Sequence, residues 1–291
     1  MLRSLSLPAL LLVPALLQAQ SPAALTPAQR ELLALQVRLD RAHFPPGEID
    51  ARNGSNTKAA QAALAAAGVA LDDAPVTTTY VITEGDAAGP YVPVPEDMME
   101  QSTLPALGYG SLLERLGETF HASPALLKAL NPSATFAAGE KIEVPNVERT
   151  AITAAAAKVV VDKSDRAVFV QDAAGKVIAR YPASMGSEHD PLPIGEWIVN
   201  GKSDNPVFNY NPELFWDADV SHSKAKIAAG PNNPVGLVWI DLSKDHYGIH
   251  GTPRPENIGK TQSHGCIRLT NWDAARLAQM VSPGIEAVFK A

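Results

Sequence analysis

The stretch Tyr247-Gly-Ile-His250-Gly251-Thr252-Pro-Arg-Pro-Glu-Asn-Ile-Gly259-Lys-Thr-Gln-Ser263-His264-Gly265-Cys266-Ile267-Arg268-Leu269 decides how the rest of the chain is read. It holds the only cysteine among 291 residues, with His250 sixteen positions before it and His264 two before it. A thiol attacks only as its thiolate, and an unperturbed thiol, with a pKa of about 8.5, is mostly protonated at neutral pH. An imidazole within reach can take that proton and activate the sulfur. Gly265 permits a sharp backbone turn directly before the cysteine. The amides of His264, Gly265 and Cys266 can then face a developing oxyanion.

Two other readings compete. A lone cysteine is commonly a small buried hydrophobe, but a Ser-His-Gly-Cys run rich in turn formers and polar groups makes a poor core segment. A metal centre drawn from His246, His250, His264 and Cys266 suits zinc chemically. His-x-Cys, however, lacks the two-to-four-residue gap usual between paired ligands. No metal and no cofactor are therefore expected, and a cysteine nucleophile is the best of the three readings.

The pattern His250-Gly251-Thr252, about a dozen residues, then Ser263-His264-Gly265-Cys266-Ile267-Arg268-Leu269 resembles the signature of the L,D-transpeptidases with a YkuD-type catalytic domain. Gly230-Pro-Asn-Asn-Pro-Val-Gly236 resembles the ErfK/YbiS/YcfS/YnhG branch of that family. The resemblance covers residues 157–291 and implies acyl transfer between peptidoglycan stem peptides. Cys266 would attack the carbonyl that joins the L-centre of the third stem residue to a terminal D-alanine, forming a thioacyl enzyme. An amine from a second stem, or from an acceptor lipoprotein, would resolve it. The resemblance assigns the base to His250, its tautomer held by the Gly251 carbonyl, with His264 as the alternative base. It makes the amides of His264, Gly265 and Cys266 the oxyanion donors, and Ser263, Arg268 and Tyr247 the substrate contacts. Arg268, a planar and permanent cation, suits a substrate carboxylate, with a structural salt bridge as the alternative. Water can compete for the same thioester, so a thiol amidase, L,D-endopeptidase or carboxypeptidase is the alternative enzyme. A wall-binding protein with a silent third domain is the non-enzymatic reading, and retention of the thiol and both histidines speaks against it.

At 291 residues, two or three compact units are expected. A chain 46% hydrophobic and 19% charged is ordinary globular protein. A net charge of −7 argues against nucleic acid, which requires a basic face. Residues 1–19 read as a secretory signal, with Arg3 in the n-region, an apolar stretch of 13 residues from Leu5 to Leu17, and cleavage near Ala19. Thirteen residues are too few to span a hydrocarbon core of about 30 Å, so no membrane span is expected. A periplasmic or cell-envelope location follows, where a single cysteine cannot form an internal disulfide.

Residues 25–72 read as a small helical module. Thr26-Pro27-Ala28-Gln29 combines an N-cap, a proline at the first helical position and a capping-box glutamine. A second helix is expected from near Asn56 to Gly68. Leu35-Gln36, Ile49-Asp50, Gly54, Thr57 and Ala63-Leu64 resemble the helical peptidoglycan-binding domain, and a plain helical hairpin packed on the enzyme is the alternative. Residues 75–149 resemble a LysM domain, a glycan-binding α+β unit. Tyr80 to Asp86 stands as its opening strand and turn, Ser111 to Gly117 and Pro124 to Asn131 as its helices, and Gly139 to Pro145 as its closing strand. A Pro- and Gly-rich insertion from Ala87 to Gly110 interrupts it, and a scaffold without glycan binding is the alternative.

From residue 157 the chain is mostly short β-branched or aromatic runs with one clear helix beginning near Thr270. Closely spaced strands with little helix between them predict a mainly β catalytic domain, a sandwich or barrel, in agreement with the family resemblance. Asn200 to Pro234, carrying Phe208, Tyr210, Phe215 and Trp216 without periodicity, is expected to be a lid loop over the cysteine, with a long surface loop anchored by its aromatics as the alternative. Every chemical signature lies beyond residue 157, so removal of residues 20–149 is expected to spare turnover of a small soluble substrate.

Overall fold

The computed structural model of the protein describes residues 23–149, 152 and 154–291, and the expected signal segment at 1–19 lies outside them. The capping box at Thr26 closes as its residue types dictate. Thr26 Oγ1 accepts from the Gln29 amide, Gln29 Oε1 accepts from the Thr26 amide, and α1 (Pro27–Arg41) follows. The helix α2 (Ser55–Ala67) ends at Gly68 in the left-handed conformation. Next come β1 (Thr77–Val81), α3 (Glu84–Ala87), α4 (Met98–Gln101), α5 (Leu112–Thr119), α6 (Pro124–Leu130) and β2 (Lys141–Pro145). β1 and β2 pair antiparallel, with Thr79 opposite Glu143.

The boundary expected between 72 and 75 does not divide the packing. One side of α1 places Leu33 and Val37 in a single buried cluster with Ile82, Leu116, Leu126, Leu127, Ile142 and Val144. Leu39 and Phe44 pack instead with Ala60 and Leu64 of α2. One helix thus serves both cores. Gln36 is buried and acts as the polar nucleus of the hairpin. Its amide nitrogen donates to Asp50, Thr57 and the Arg52 carbonyl, and its oxygen accepts from the amides of Asp50 and Ala51.

The second half supplies β3 (Lys158–Asp162), β4 (Ala167–Gln171), β5 (Val177–Pro182), β6 (Ser184–Met185) and β7 (Gly195–Asp204). It continues with β8 (Phe208–Tyr210), β9 (Ala225–Ile227), β10 (Val238–Leu242), β11 (Gly248–His250), β12 (Ile267–Arg268), α7 (Asn271–Met280) and β13 (Glu286–Lys290). Nine of these strands form one sheet in the order β5-β4-β3-β13-β7-β10-β11-β12-β6. The pairs β3–β13 and β11–β12 are parallel and the others antiparallel. Its two edge strands, β5 and β6, are separated in the chain only by Ala183. The sheet must therefore curl until its edges meet, around a core that includes Val161, Val170, Tyr181, Ile240, Ile249, Ile267 and Phe289. Thr270 caps α7 by accepting from the Asp273 amide, and Leu277 and Ala278 pack that helix onto the sheet.

The expected loop from Asn200 is shorter than its sequence suggests. β7 runs on to Asp204, held by Ser203 opposite Trp239, and β8 and β9 form a hairpin inside the remainder. No helix among the described residues is long and apolar enough to cross a membrane.

The first half is bonded into the second. Asn56 Nδ2 donates to the Ile258 carbonyl at 2.9 Å. Arg149, in the chain joining the halves, donates to Asp40 of α1 and to Asp273 of α7, each at 2.7 Å, and all three side chains are buried. His121 Nδ1 bonds Asp40 from a third side, and its ring stacks on Trp272 at 5.0 Å. Such a junction requires both halves, because either half alone would leave charge buried and unpaired.

Candidate active site

Three strands bring the sequence-distant residues together. Trp239 of β10 pairs with His250 of β11, and His250 pairs in parallel with Arg268 of β12. Side chains alternate along a strand. Ile249, Ile267 and Leu269 enter the core fully, so His250, Cys266 and Arg268 share the opposite face. His250 and Arg268 thus sit opposite each other on adjacent strands, and Cys266 directly precedes the second of them. They open on a groove of about 1220 Å³, also lined by Tyr247 and His264. Gly265 has φ +100°, and a Cβ there would lie 2.8 Å from the Tyr247 ring, so the turn before Cys266 admits only glycine.

His250 is 4% exposed, and its Nδ1 lies 2.7 Å from the Gly251 carbonyl oxygen. A carbonyl only accepts, so Nδ1 carries the hydrogen and Nε2 keeps its lone pair. Burial, aided by the Arg268 charge, pushes the imidazolium down to about 3, and the ring is neutral at physiological pH. The Trp239 ring stacks on it at 5.5 Å and 18°. Burial raises the Cys266 thiol above its ordinary value, opposed by the Gly248 backbone and by Arg268. At rest the groove therefore holds a thiol and a neutral imidazole. Cys266 Sγ rests 3.6 Å from the His246 carbonyl oxygen.

His264 sits apart from this pair chemically. Its Nε2 is bonded to Asp217 at 2.8 Å, and Phe215 meets its ring edge-on at 5.1 Å. Tyr247 lines the groove, with Lys244 Nζ 5.7 Å from its ring centroid. Ser263, expected to meet substrate, has its hydroxyl engaged within the protein. It is buried, donates to the Cys266 carbonyl at 2.5 Å and accepts from the Gly186 amide at 2.8 Å. Its hydroxyl is used up in holding the turn that carries Cys266. Trp239 and Asp217 escaped the sequence reading. Asp217 directly follows the aromatic pair Phe215-Trp216, which was the available signal. Glu96, Asp97 and Met98 of the insertion also line the groove, and nothing in the linear pattern points to that.

Behind the groove, Asn271 joins three segments. Its Nδ2 donates to Glu118 Oε1 of α5 at 2.8 Å and to the Pro231 carbonyl, and its Oδ1 accepts from the Leu237 amide. Burial pushes the Glu118 carboxyl up to about 8. An unfolded glutamate ionises near 4.5, so between those values the folded state holds the extra proton. Stability then falls as pH rises through that window. Glu118→Gln is expected to remove this part of the decline, leaving that of Glu48, which burial raises to about 7. Denaturant midpoints measured from pH 5 to 8 check this, and an unchanged slope would refute it.

A family model described as an L,D-transpeptidase catalytic domain, YkuD, matches residues 156–289. Residues 156–289 are thus similar to L,D-transpeptidase catalytic domains. The chain is 28% identical over 178 residues to a Bacillus licheniformis protein named as an L,D-transpeptidase, YkuD, covering 60% of this chain and 91% of that protein. It is 29% identical over 184 residues to the Bacillus subtilis protein of the same name, with the same coverage. A solved L,D-transpeptidase from Mycobacterium smegmatis overlays 53% of this chain and 64% of its own at 24% identity, with a TM-score of 0.38. That overlay is too slight to carry any argument, and the L,D-transpeptidase assignment rests on the sequence matches.

Proposed function

We propose that this L,D-transpeptidase domain works through a Cys266 thioacyl intermediate, taking a peptidoglycan stem tetrapeptide as donor and passing it to an amine. The observation that supports the reading is that Cys266 lines one groove with a neutral His250 whose Nδ1 is committed to Gly251. His250 Nε2 takes the thiol proton as sulfur bonds to the carbonyl carbon. The amides of His264, Gly265 and Cys266 hold the oxyanion, each such donor contributing about 2.7–4 kcal/mol. The C–N bond then breaks, D-alanine leaves with the proton from His250, and a second amine repeats the steps in reverse order. His264 is the weaker candidate for base because Asp217 occupies its Nε2.

Arg268 is the donor's anchor in this reading. Among the described residues no carboxylate stands within ion-pair distance of its guanidinium, and burial lowers its pKa. A buried cation without a partner favours an anionic ligand, such as a stem-peptide carboxylate. The LysM-like module is read as a glycan-binding aid. The alignment to the Bacillus relatives covers 60% of the chain, so it reaches upstream of residue 156. We place the protein in the periplasm or cell envelope, after loss of the signal segment near Ala19.

The test is incubation of the mature protein with purified sacculi and with soluble tetrapeptide, followed by mass spectrometry. Release of D-alanine with 3-3 cross-linked or protein-linked product is expected, and a chelator should not reduce it. Tripeptide alone would make the enzyme a carboxypeptidase. Absence of any product from either substrate would sink the proposal.

A further inference from the structure

The insertion between α3 and α5 interrupts the LysM-like module without contributing to its sheet, yet it is among the better-anchored parts of the chain. Leu107 is fully buried, in a cluster with Tyr210 and Ile227 of the lid hairpin. Its amide donates to the Ala229 carbonyl, and its carbonyl accepts from the Asn232 amide, both at 3.0 Å. A Cβ on Gly230 would fall 2.1 Å from that same carbonyl oxygen, so the two backbones meet where only glycine fits. A polar chain runs alongside. Asp97 uses Oδ1 to cap α4 and Oδ2 to bond His222 Nε2 at 2.9 Å. His222 Nδ1 in turn bonds the Tyr210 hydroxyl, also at 2.9 Å. A carboxylate only accepts, so Nε2 donates to it.

These contacts lead to the nucleophile's turn. Tyr210 packs on Phe215 at 5.6 Å, Phe215 meets His264 at 5.1 Å, and Asp217 bonds His264 Nε2. His264 lies two residues before Cys266. We propose that the insertion serves acyl transfer rather than wall binding. Leu107 and the Asp97–His222–Tyr210 chain are positioning residues that seat the lid, and through Phe215 and Asp217 fix the turn carrying Cys266. The catalytic part of this statement rests on the thioacyl reading, whereas the seating of the lid does not.

Because Cys266 is the only cysteine, its alkylation by iodoacetamide reports the lid without reference to turnover. In the full chain, Leu107→Ala and His222→Ala should each raise the alkylation rate severalfold. They should lower kcat on soluble tetrapeptide about tenfold, as a displaced catalytic turn would, with KM changed less and binding to insoluble peptidoglycan unchanged. His222→Gln, which keeps a donor toward Asp97, should recover part of both losses. Leu64→Ala, in the separate core between α1 and α2, should reduce stability without altering alkylation. If Leu107→Ala does not fold, His222→Ala still decides. Wild-type alkylation rates in folded variants would overturn the proposal, and loss of peptidoglycan binding at unchanged kcat would return the insertion to the wall-binding module. A wild type that turns over no donor would defeat the thioacyl reading alone, and the alkylation comparison would still stand.

Discussion

Cys266→Ala is expected to abolish the formation of any acyl adduct while leaving the fold intact. Acylation is read by intact mass after incubation with a carbapenem, whose strained ring carbonyl stands in for the scissile amide. The wild type should gain the full mass of the drug on the peptide containing Cys266. Loss of the nucleophile should cost roughly 10⁴-fold or more in turnover, since groups that act as a unit fail together. Cys266→Ser should fail almost as badly. A hydroxyl needs a stronger driving base than a buried imidazole whose Nδ1 faces only a carbonyl. His250→Ala should slow acylation more than His264→Ala, and the reverse order would move the base to His264. Because burial holds the imidazolium down to about 3 and raises the thiol, the rate should stay flat from mildly acidic to neutral pH, then change only at alkaline pH. An adduct surviving in Cys266→Ala would remove the central assignment.

Arg149→Met is expected to be the most destabilising single change outside the groove. Burial alone would raise Asp40, but Arg149 and His121 hold its carboxyl well below the usual range. Asp273, fully buried, is raised by burial and by the Asp40 charge, with Arg149 opposing. Removing the guanidinium leaves two buried carboxylates facing each other, and breaking such a pair costs about 3–5 kcal/mol. Denaturant midpoints should show this loss. Adding Asp40→Asn and Asp273→Asn should restore most of it, because the uncompensated charge disappears. The same argument predicts that a fragment beginning at residue 154 will be poorly folded or inactive even on soluble tetrapeptide. It would lose the partners of Asp273, the Asn56 bond to the 258 carbonyl, and the Leu107 support of the lid. A stable fragment with full turnover would refute the integration of the two halves.

Caps and the cysteine-bearing turn were legible because the residues that make them are contiguous. Thr26 with Gln29, Thr270 with Asp273, and Gly68 after α2 act over one helical turn. Cys266 and its flanking histidines announce their chemistry by type and spacing, and the alternation of Ile267, Arg268 and Leu269 already separates core from groove. The sequence by itself thus determined a mainly β domain and singled out its thiol with the histidines around it. Only the tertiary structure decided that Ser263 is spent on the turn, and that Asp217 claims His264. Only it joined Arg149 to two helices more than a hundred residues apart, and laid the segment around Leu107 against the β8–β9 hairpin. Each of these depends on which of several available partners is brought within hydrogen-bond reach, and burial alone makes that choice binding, since a polar group removed from water must be satisfied by whatever the fold places beside it.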